Sequence, residues 1–249
     1  MKKRYQIFDT FVDCLSIQET ISKIENRIDQ GLTTYQVSIN ADKINQMQNN
    51  YELKNIIDNA DIINADGISI VLSGKLLGVP ISERVSGIDI FTQLLTRSED
   101  KGYSVFFLGA TEESLLTMLE KIEKNYPKLI ISGYRNGYFD SIEEKQIVAD
   151  IYASHTDILF LGFSSPQKEI WIKKNQKESG ARFIMGVGGS FDIYSGKTKR
   201  APELIQNLGF EWLYRFIQEP TRLYNRYIIG NFKFMRLLLQ EKISCKILK

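Results

Sequence analysis

The sequence predicts an α/β fold with a mainly parallel Rossmann-like sheet flanked by helices and a C-terminal helical appendage. Strand and helix signals alternate through residues 1–199, which is the pattern of helices that connect parallel strands. Residues 157–163 form a continuous apolar run, which is typical of a strand buried on both faces. After Gly189 the pattern changes, and from Ala201 onwards the chain shows no strand run and is helical, basic and aromatic.

The individual elements follow from apolar runs, helical spacing and capping signals. Strands are predicted at residues 35–39, 61–64, 103–108, 129–132, 157–163 and 182–187. Helices are predicted at 67–77, 87–97, 112–124 and 142–153, and in broken form at 41–59. Thr111 caps the helix that follows it, and Ser165 with Pro166 after it marks another helix start. We therefore divide the chain into an α/β domain, residues 1–200, and an appendage, residues 201–249.

The composition is that of an ordinary globular protein. The chain has 249 residues, of which 43% are hydrophobic and 25% charged, and this length can bury a core without disulfides. Cys14 and Cys245 are far apart in sequence, which fits a reducing compartment. The basic start lacks an apolar h-region, and no run approaches the ~20 apolar residues of a membrane span. These features predict a protein that is cytoplasmic or sits on a membrane without crossing it.

The charge is uneven along the chain. Nine basic and four acidic residues lie between Arg200 and Lys249, a net charge of +5 against −3 for residues 1–199, which indicates an anionic partner for the tail. Apolar residues recur there at helical spacing: Leu204, Leu208, Trp212, Phe216, Ile228, Phe232, Met235 and Leu239. Basic amphipathic helices with aromatic residues are typical of binding at a membrane interface. The alternative is packing on the sheet domain or on a second subunit.

Polar and small residues follow the predicted strands, at the edge where open α/β sheets bind ligands. They are Ser38 and Asn40, Asn64 and Asp66, Gly109 to Thr111, residues 164–169 and residues 186–190. Together they predict a polar cleft, in which Ser38, Gly109, Gly188 and Gly189 are candidate substrate-binding residues. The alternative for each strand end is an ordinary turn, in which glycine, serine and asparagine are common.

The residue types that the chain lacks narrow the chemistry of this cleft. His155 is the only histidine, which nearly excludes a histidine-based triad or a multi-histidine metal site. The chain has no Asp-x-Asp pair, the pair that holds a metal ion and a nucleotide diphosphate in many sugar transferases. The glycine-rich turn at 186–189 is followed by Phe191 where a dinucleotide fingerprint has its third glycine. We expect neither a metal ion nor a cofactor.

A transferase that works without a metal ion needs a carboxylate to take a proton from the acceptor hydroxyl, and cations or helix N-termini to stabilise a leaving diphosphate. Asp66 is the candidate base, and its alternative role is to cap the next helix. Arg84 is the candidate cation, and its alternative is a solvated position at a helix end. Candidate anion sites are the helix starts at Thr111, Pro166 and Ser190.

Nine short segments, spread over nearly the whole chain, form a specific series. They are residues 38–43 (SINADK), 64–67 (NADG), 83–89 (ERVSGID), 107–110 (FLGA), 137–139 (GYF), 161–169 (LGFSSPQKE), 186–192 (GVGGSFD), 200–202 (RAP) and 211–222 (EWLYRFIQEPTR). In this order they resemble the WecG/TagA/CpsF glycosyltransferase family. The resemblance implies an inverting, metal-independent transferase that uses a UDP-activated sugar.

The resemblance also implies the partners. Family members typically add N-acetylmannosamine, its uronic acid or glucose to a polyprenyl-diphosphate-linked sugar, in the synthesis of teichoic acid linkage units, enterobacterial common antigen or exopolysaccharide. The expected partners are therefore a UDP-sugar donor, a polyprenyl-diphosphate-linked acceptor and an anionic membrane surface. We expect a peripheral protein on the inner face of the cell membrane. A second copy of the chain, in a homo-oligomer, is a further candidate partner, and we expect no nucleic acid partner.

Individual residues take roles from the resemblance. The family's proposed base falls on Asp66, and its site asparagine and arginine fall on Asn40 and Arg84. The basic C-terminal helices of the family are linked to membrane association, and their arginines are thought to complete the site. Three arginines match these by position: Arg215, Arg222 and Arg226.

The segment that contacts the donor sugar departs from the family pattern. Many members read Pro-x-Gln-Glu, whereas this chain has Gln167 one position early and Lys168 in the place of the glutamine. Glu169 aligns with the family glutamate. We expect all three residues to contact the substrate.

Two other functions remain open from the sequence. One is a Rossmann-type nucleotide-sugar epimerase or dehydrogenase, although the lack of a glycine-rich first turn argues against it. The other is a non-catalytic membrane scaffold for polysaccharide assembly.

Overall fold

The fold is built on one parallel sheet and a small hairpin. The computed structural model describes residues 3–247, without the side chains at positions 207 and 245–247. The strands of this part are β1 (Arg4–Ile7), β2 (Thr10–Asp13), β3 (Thr34–Ile39), β4 (Ile62–Ala65), β5 (Ser104–Gly109), β6 (Ile130–Arg135), β7 (Ile158–Gly162) and β8 (Phe183–Gly186). Strands β3 to β8 form a six-stranded parallel sheet in the order β4-β3-β8-β7-β5-β6. The predicted Rossmann-like α/β fold is confirmed.

Helices connect the strands and form the C-terminal part. In the α/β domain they are α1 (Ile17–Asp29), α2 (Ala41–Met47), α3 (Tyr51–Asp58), α4 (Ile68–Leu77), α5 (Gly87–Lys101), α6 (Glu112–Asn125), α7 (Ser141–Ala153), α8 (Gln167–Asn175) and α9 (Ser190–Ser195). The appendage contains α10 (Glu203–Asn207), α11 (Glu211–Gln218), α12 (Pro220–Tyr224), a π-helical turn (Asn225–Ile229) and α13 (Gly230–Ile247). Every predicted helix is present, including the broken one, which forms α2 and α3.

The apolar run of β7 lies at the centre of the sheet, between β8 and β5. Its residues 158–161 are fully buried, as the continuous run predicts. On one face, the Phe91 ring of α5 packs edge-on against Phe160 of β7 at 4.8 Å between centroids. Phe191 of α9 closes the same cluster, with its ring 5.9 Å from that of Phe107. Each of these buried rings contributes about 1.5–3 kcal/mol to the free energy of folding.

The β1–β2 hairpin was not predicted. Its turn residues Phe8 and Asp9 both have positive φ values, 51° and 57°, whereas sequences that form such turns usually place glycine or asparagine there. The turn therefore gave no sequence signal. Tertiary contacts hold it instead: Phe8 is buried, and the Arg4 guanidinium donates two hydrogen bonds of 2.8 Å to the Asp13 carboxylate.

The start of α8 differs from the prediction. Ser165 was expected to cap this helix with Pro166 at its first position, but Pro166 is itself the cap residue and no side chain bonds to the first turn. The backbone N–H of Lys168 instead donates to the carbonyl of Ser164 at 3.0 Å. Because a main-chain carbonyl satisfies this donor, the serine hydroxyl is not needed. The predicted Thr111 cap of α6 is confirmed.

The appendage packs on the α/β domain through α13. Its Phe234 ring lies 5.1 Å from the ring of Phe8 in the hairpin, and Phe234 and Leu238 belong to the main apolar core. The Asn45 side chain of α2 donates to the carbonyl of Gly230 at 2.8 Å. The face of α13 that carries Phe234 and Leu238 is therefore buried against the α/β domain. Within the described part of the chain, no helix combines the length and the apolar character needed to cross a bilayer.

Candidate active site

A cavity of about 640 Å³ lies at the carboxyl ends of the sheet strands, between the α/β domain and the appendage. This is the edge at which open parallel sheets bind ligands. Predicted site residues that line it are Asn40, Asp66, Arg84, Gly189, Arg215 and Arg226. Arg84 belongs to the α/β domain, whereas Arg215 and Arg226 belong to the appendage, more than 100 positions later in the sequence. The structure therefore brings the candidate base and three candidate cations around one space.

Asp66 follows β4 and is one of the residues that line the cavity. Its backbone N–H donates to the carbonyl of Ile39 at 2.8 Å, which holds it beside the end of β3. The cap residue of α4 is Gly67, with no side-chain cap, so the alternative role of Asp66 as a helix cap is not what the structure shows. Within residues 3–247 the Asp66 carboxylate accepts no hydrogen bond from another side chain or backbone group. It is thus available to a ligand.

Burial raises the pKa of the Asp66 carboxyl above its ordinary value. Nearby charges act in both directions: Arg84 lowers this pKa, Glu211 raises it, and Arg215 lowers it. A carboxylate with a raised pKa holds a proton more strongly and is therefore a better base near neutral pH.

A carboxylate from the appendage joins the two arginines nearest to Asp66. One oxygen of Glu211 accepts from Arg84 Nη1 at 2.6 Å, and the other lies 3.0 Å from Arg215 Nη2. Arg84 is 19% exposed, which is too little for the solvated helix-end position considered above. Each arginine uses one nitrogen on Glu211. Arg84 Nη2 also donates to the side-chain oxygen of Gln206 at 3.4 Å, and Arg215 Nε is buried with no partner within the described residues. Both guanidinium groups therefore keep N–H donors for a ligand.

Two further ion pairs surround this group. Arg200 Nη2 lies 2.6 Å from one oxygen of Asp89, at the start of α5. Arg226 Nε lies 3.0 Å from a carboxylate oxygen of Asp42, on α2. Sequence reasoning did not assign a role to Glu211, Asp89 or Arg200, although each lies in or at the end of a segment that carried the resemblance. Asp89 and Arg200 are 111 residues apart, and Glu211 and Arg84 are 127 residues apart. Local patterns carry no signal for such contacts.

The segment with the Pro166-Gln167-Lys168-Glu169 departure does not line the cavity, although the charge of Lys168 lowers the pKa of Asp66. Glu169 is 1% exposed and pairs with Lys43 at 2.7 Å. Burial alone would raise the pKa of its carboxyl, but Lys43 and Lys168 together hold it below its ordinary value. Glu169 is therefore a buried, ionised residue that anchors α8 to α2.

Lys168 crosses the glycine turn after β8. Its Nζ donates to the carbonyl of Gly186 at 3.1 Å, and a Cβ at Gly186 would lie only 2.5 Å from Lys168 Cδ. Gly186 therefore leaves the space that the Lys168 side chain occupies. Burial and the neighbouring Lys43 lower the pKa of Lys168 to about 8, so its ammonium begins to lose its proton just above neutral pH.

Other predicted site residues do not line the cavity. Ser38 accepts a hydrogen bond from Gln36 within β3 at 2.9 Å. Gly109 has φ +136°, and a Cβ there would lie 2.6 Å from the backbone of Gly162, so this glycine permits close approach of β5 and β7. Gln167 is exposed at the start of α8, and Arg222 is exposed and pairs with Glu219. Gly188 follows β8, where an added Cβ would lie 3.7 Å from Lys168 Nζ.

Comparison with known proteins now decides the family. Residues 5–247 match the model of the glycosyl transferase WecG/TagA/CpsF family. The chain belongs to this family. It is a glycosyltransferase, and the resemblance seen in its nine segments is confirmed.

A curated relative comes from Bacillus spizizenii (strain ATCC 23059 / NRRL B-14472 / W23). It is named N-acetylglucosaminyldiphosphoundecaprenol N-acetyl-beta-D-mannosaminyltransferase, and it is 33% identical to this chain over 239 residues, which cover 95% of this chain and 91% of the relative. Family membership favours a transferase over the epimerase, dehydrogenase and scaffold alternatives. This glycosyltransferase therefore carries its candidate base in a cavity shared by both parts of the chain.

Replacing Glu211 with glutamine is expected to move the acid limb of the pH–rate profile to lower pH. The negative charge of Glu211 raises the pKa of Asp66, and a base must be ionised to act. Without that charge Asp66 ionises at lower pH. The measurement is kcat/KM against pH for the wild type, Glu211→Gln and Glu211→Asp. The aspartate variant keeps the charge and should keep the wild-type limb, whereas an unmoved or raised limb in Glu211→Gln would contradict the electrostatic role.

Proposed function

We propose that this glycosyltransferase transfers N-acetylmannosamine from a UDP donor to a polyprenyl-diphosphate-linked N-acetylglucosamine, with inversion and without a metal ion. The observation that carries the proposal is the unbonded Asp66 carboxylate, which shares one cavity with Arg84 and Arg215. The name of the Bacillus relative supports the transferred sugar and the lipid-linked acceptor. The family resemblance leaves two other donor sugars open: glucose, and the uronic acid of N-acetylmannosamine.

In the proposed reaction Asp66 takes the proton of the acceptor hydroxyl. The hydroxyl oxygen bonds to the anomeric carbon of the donor while the bond between that carbon and the diphosphate oxygen breaks. Attack from the face opposite to the diphosphate inverts the configuration at this carbon. The raised pKa of Asp66 suits the step, because it strengthens the carboxylate as a proton acceptor.

The leaving UDP carries the negative charge away, and the arginines stabilise it. Arg84 and Arg215 are held by Glu211 through one nitrogen each, and their remaining N–H groups match the geometry of phosphate oxygens. Lys168 adds a third cation near Asp66, protonated below its pKa of about 8. Such preorganised donors act where charge develops in the transition state.

A panel of UDP-sugars tests the proposal. The purified full-length protein is incubated with each donor and with a short-chain diphosphate-linked N-acetylglucosamine, and the products are read by mass. We expect the acceptor to gain the mass of one N-acetylhexosamine from UDP-N-acetylmannosamine. Transfer of a different sugar would replace the donor assignment, and the absence of transfer from every donor would contradict the proposed function.

Activity is expected to survive an excess of chelator. In the proposed mechanism arginines, and not a metal ion, meet the charge of the diphosphate. Within the described residues, no three His, Cys, Asp or Glu side chains are grouped so that they could hold an ion. The rate with excess EDTA should lie within about twofold of the untreated rate. Strict dependence on added magnesium or manganese would show that the site works differently.

We further propose that the appendage binds an anionic membrane surface at the inner face of the cell membrane. Five of the eight residues of its apolar pattern are exposed: Leu204 and Leu208, and, on α13, Phe232 (77% exposed), Met235 and Leu239. Lys233 and Arg236 are exposed on the same helix. Apolar residues beside cations are the features with which an interfacial helix contacts anionic lipid.

The double variant Lys233→Gln with Arg236→Gln should bind anionic vesicles with an affinity lower by roughly tenfold or more, as measured by flotation. The reason is that each cation near such a surface contributes about 1 kcal/mol. The matched control is Lys124→Gln with Lys128→Gln, two exposed lysines of the α/β domain. High salt should weaken wild-type binding in the same way. If the wild type, the double variant and the control float equally, and the protein is a dimer in solution, the exposed apolar face would instead be the contact with a second subunit.

A further inference from the structure

One side of the cavity is apolar and is formed by two helices. On α4, the residues Ile68, Leu72 and Leu76 line the cavity, and because they are four positions apart they share one face of the helix. On α13, which contacts α4, the cavity is lined by Phe234, Met235 and Leu238. We call these six residues the α4–α13 groove.

The groove is open to solvent along its length. Leu72 and Leu76 are 55% and 43% exposed, and Met235 is 51% exposed, whereas Phe234 and Leu238 are buried beneath. Isolated exposed leucines need no explanation, but a row of them at the mouth of a cavity is typical of a binding surface.

The cavity changes from charged to apolar along α4. Its charged end contains Asp66, Arg84 and Arg215. Ile68 is two residues after Asp66, and at a rise of 1.5 Å per residue Leu76 lies about 12 Å further along the helix. A ligand that fits this gradient has an anionic, hydroxyl-bearing head and a hydrocarbon tail that begins next to the head.

We propose that the α4–α13 groove binds the isoprenoid chain of the acceptor, directly beyond its diphosphate. The inference rests on the proposed function, in which the acceptor sugar reaches Asp66. The difference in polarity orients the ligand, because the charged end of the cavity takes the polar head of the acceptor and the leucines exclude it. A groove of about 12 Å is less than half the ~30 Å hydrocarbon core of a bilayer. Only the isoprene units nearest the head lie in it, and the rest of the chain stays in the membrane.

The test measures how affinity depends on chain length, in the absence of any membrane. Full-length protein is titrated calorimetrically with N-acetylglucosamine linked through a diphosphate to either a dimethylallyl or a farnesyl group. We expect the wild type to bind the farnesyl ligand roughly tenfold or more tightly than the dimethylallyl ligand. In Leu72→Gln with Leu76→Gln, this preference should fall by about tenfold while the affinity for the dimethylallyl ligand stays within about twofold of the wild type.

The control is Leu116→Gln, a leucine of α6 with similar exposure, 40%, outside the cavity. It should keep the wild-type preference. The proposal is overturned if the wild type shows no preference for the farnesyl ligand, or if the double variant loses affinity for both ligands equally. Because binding needs no turnover, a failure of the UDP-sugar panel with chain-length dependence intact would contradict the proposed reaction and not the groove.

Discussion

The Asp66→Asn variant is expected to lose roughly 10²–10⁴-fold in kcat, which is the usual contribution of a positioned general base. Asparagine keeps the shape and polarity of the side chain but cannot take the proton of the acceptor hydroxyl. The carboxylate lines the cavity with no hydrogen bond from another described residue, so the substitution breaks no internal bond. Steady-state kinetics with the donor that the UDP-sugar panel identifies provide the measurement.

The stability of Asp66→Asn separates a catalytic loss from a folding defect. Burial raises the pKa of Asp66 in the folded state, so ionised Asp66 destabilises the fold at neutral pH and this cost disappears as pH falls through the raised pKa. The variant should therefore be at least as stable as the wild type at pH 7. Asp140→Asn, at the exposed cap of α7, is the matched control, because asparagine caps a helix as well as aspartate. If the Asp66→Asn enzyme keeps more than half of the wild-type activity, Asp66 is not the general base.

Arg215→Gln is expected to lower kcat by roughly 10²–10³-fold, comparable to the loss of one preorganised donor to a developing anion. Arg215 has a buried Nε with no partner within the described residues and gives one other nitrogen to Glu211. Arg215 lines the cavity, and the substitution removes both its charge and its fork of donors. Arg215→Lys keeps the charge without the fork and should recover only part of the loss.

Arg135→Gln provides the control for Arg215→Gln. Arg135 also forms an ion pair with a glutamate, Glu143 at 2.7 Å, but it lies on the edge strand β6 and outside the cavity. An exposed pair of this kind contributes little to stability, and activity should stay within about twofold of the wild type. A kcat for Arg215→Gln within about threefold of the wild type would mean that Arg215 is not a catalytic cation.

Local patterns in the sequence were sufficient to predict the sheet and the helices. The run at residues 157–163 identified the central strand β7, and the helices on either side followed from their spacing and caps. These signals work because strand burial and helix capping depend on residues close together in sequence. The Phe8–Asp9 turn was missed for the complementary reason, since its positive φ values are held by distant contacts of the hairpin.

The sequence by itself determined the family, the parallel sheet and the position of Asp66 at a strand end. Only the tertiary structure decided that Asp66 does not cap α4, that Arg84 is shielded and held by Glu211, and that Leu72 and Leu76 continue the cavity as an apolar groove. Arg84 and Glu211 are 127 residues apart. Their contact depends on where the appendage packs, and that position is set by the burial of Phe234 and Leu238 in the core. A pairing of this kind follows from the fit of two surfaces, which no local pattern encodes.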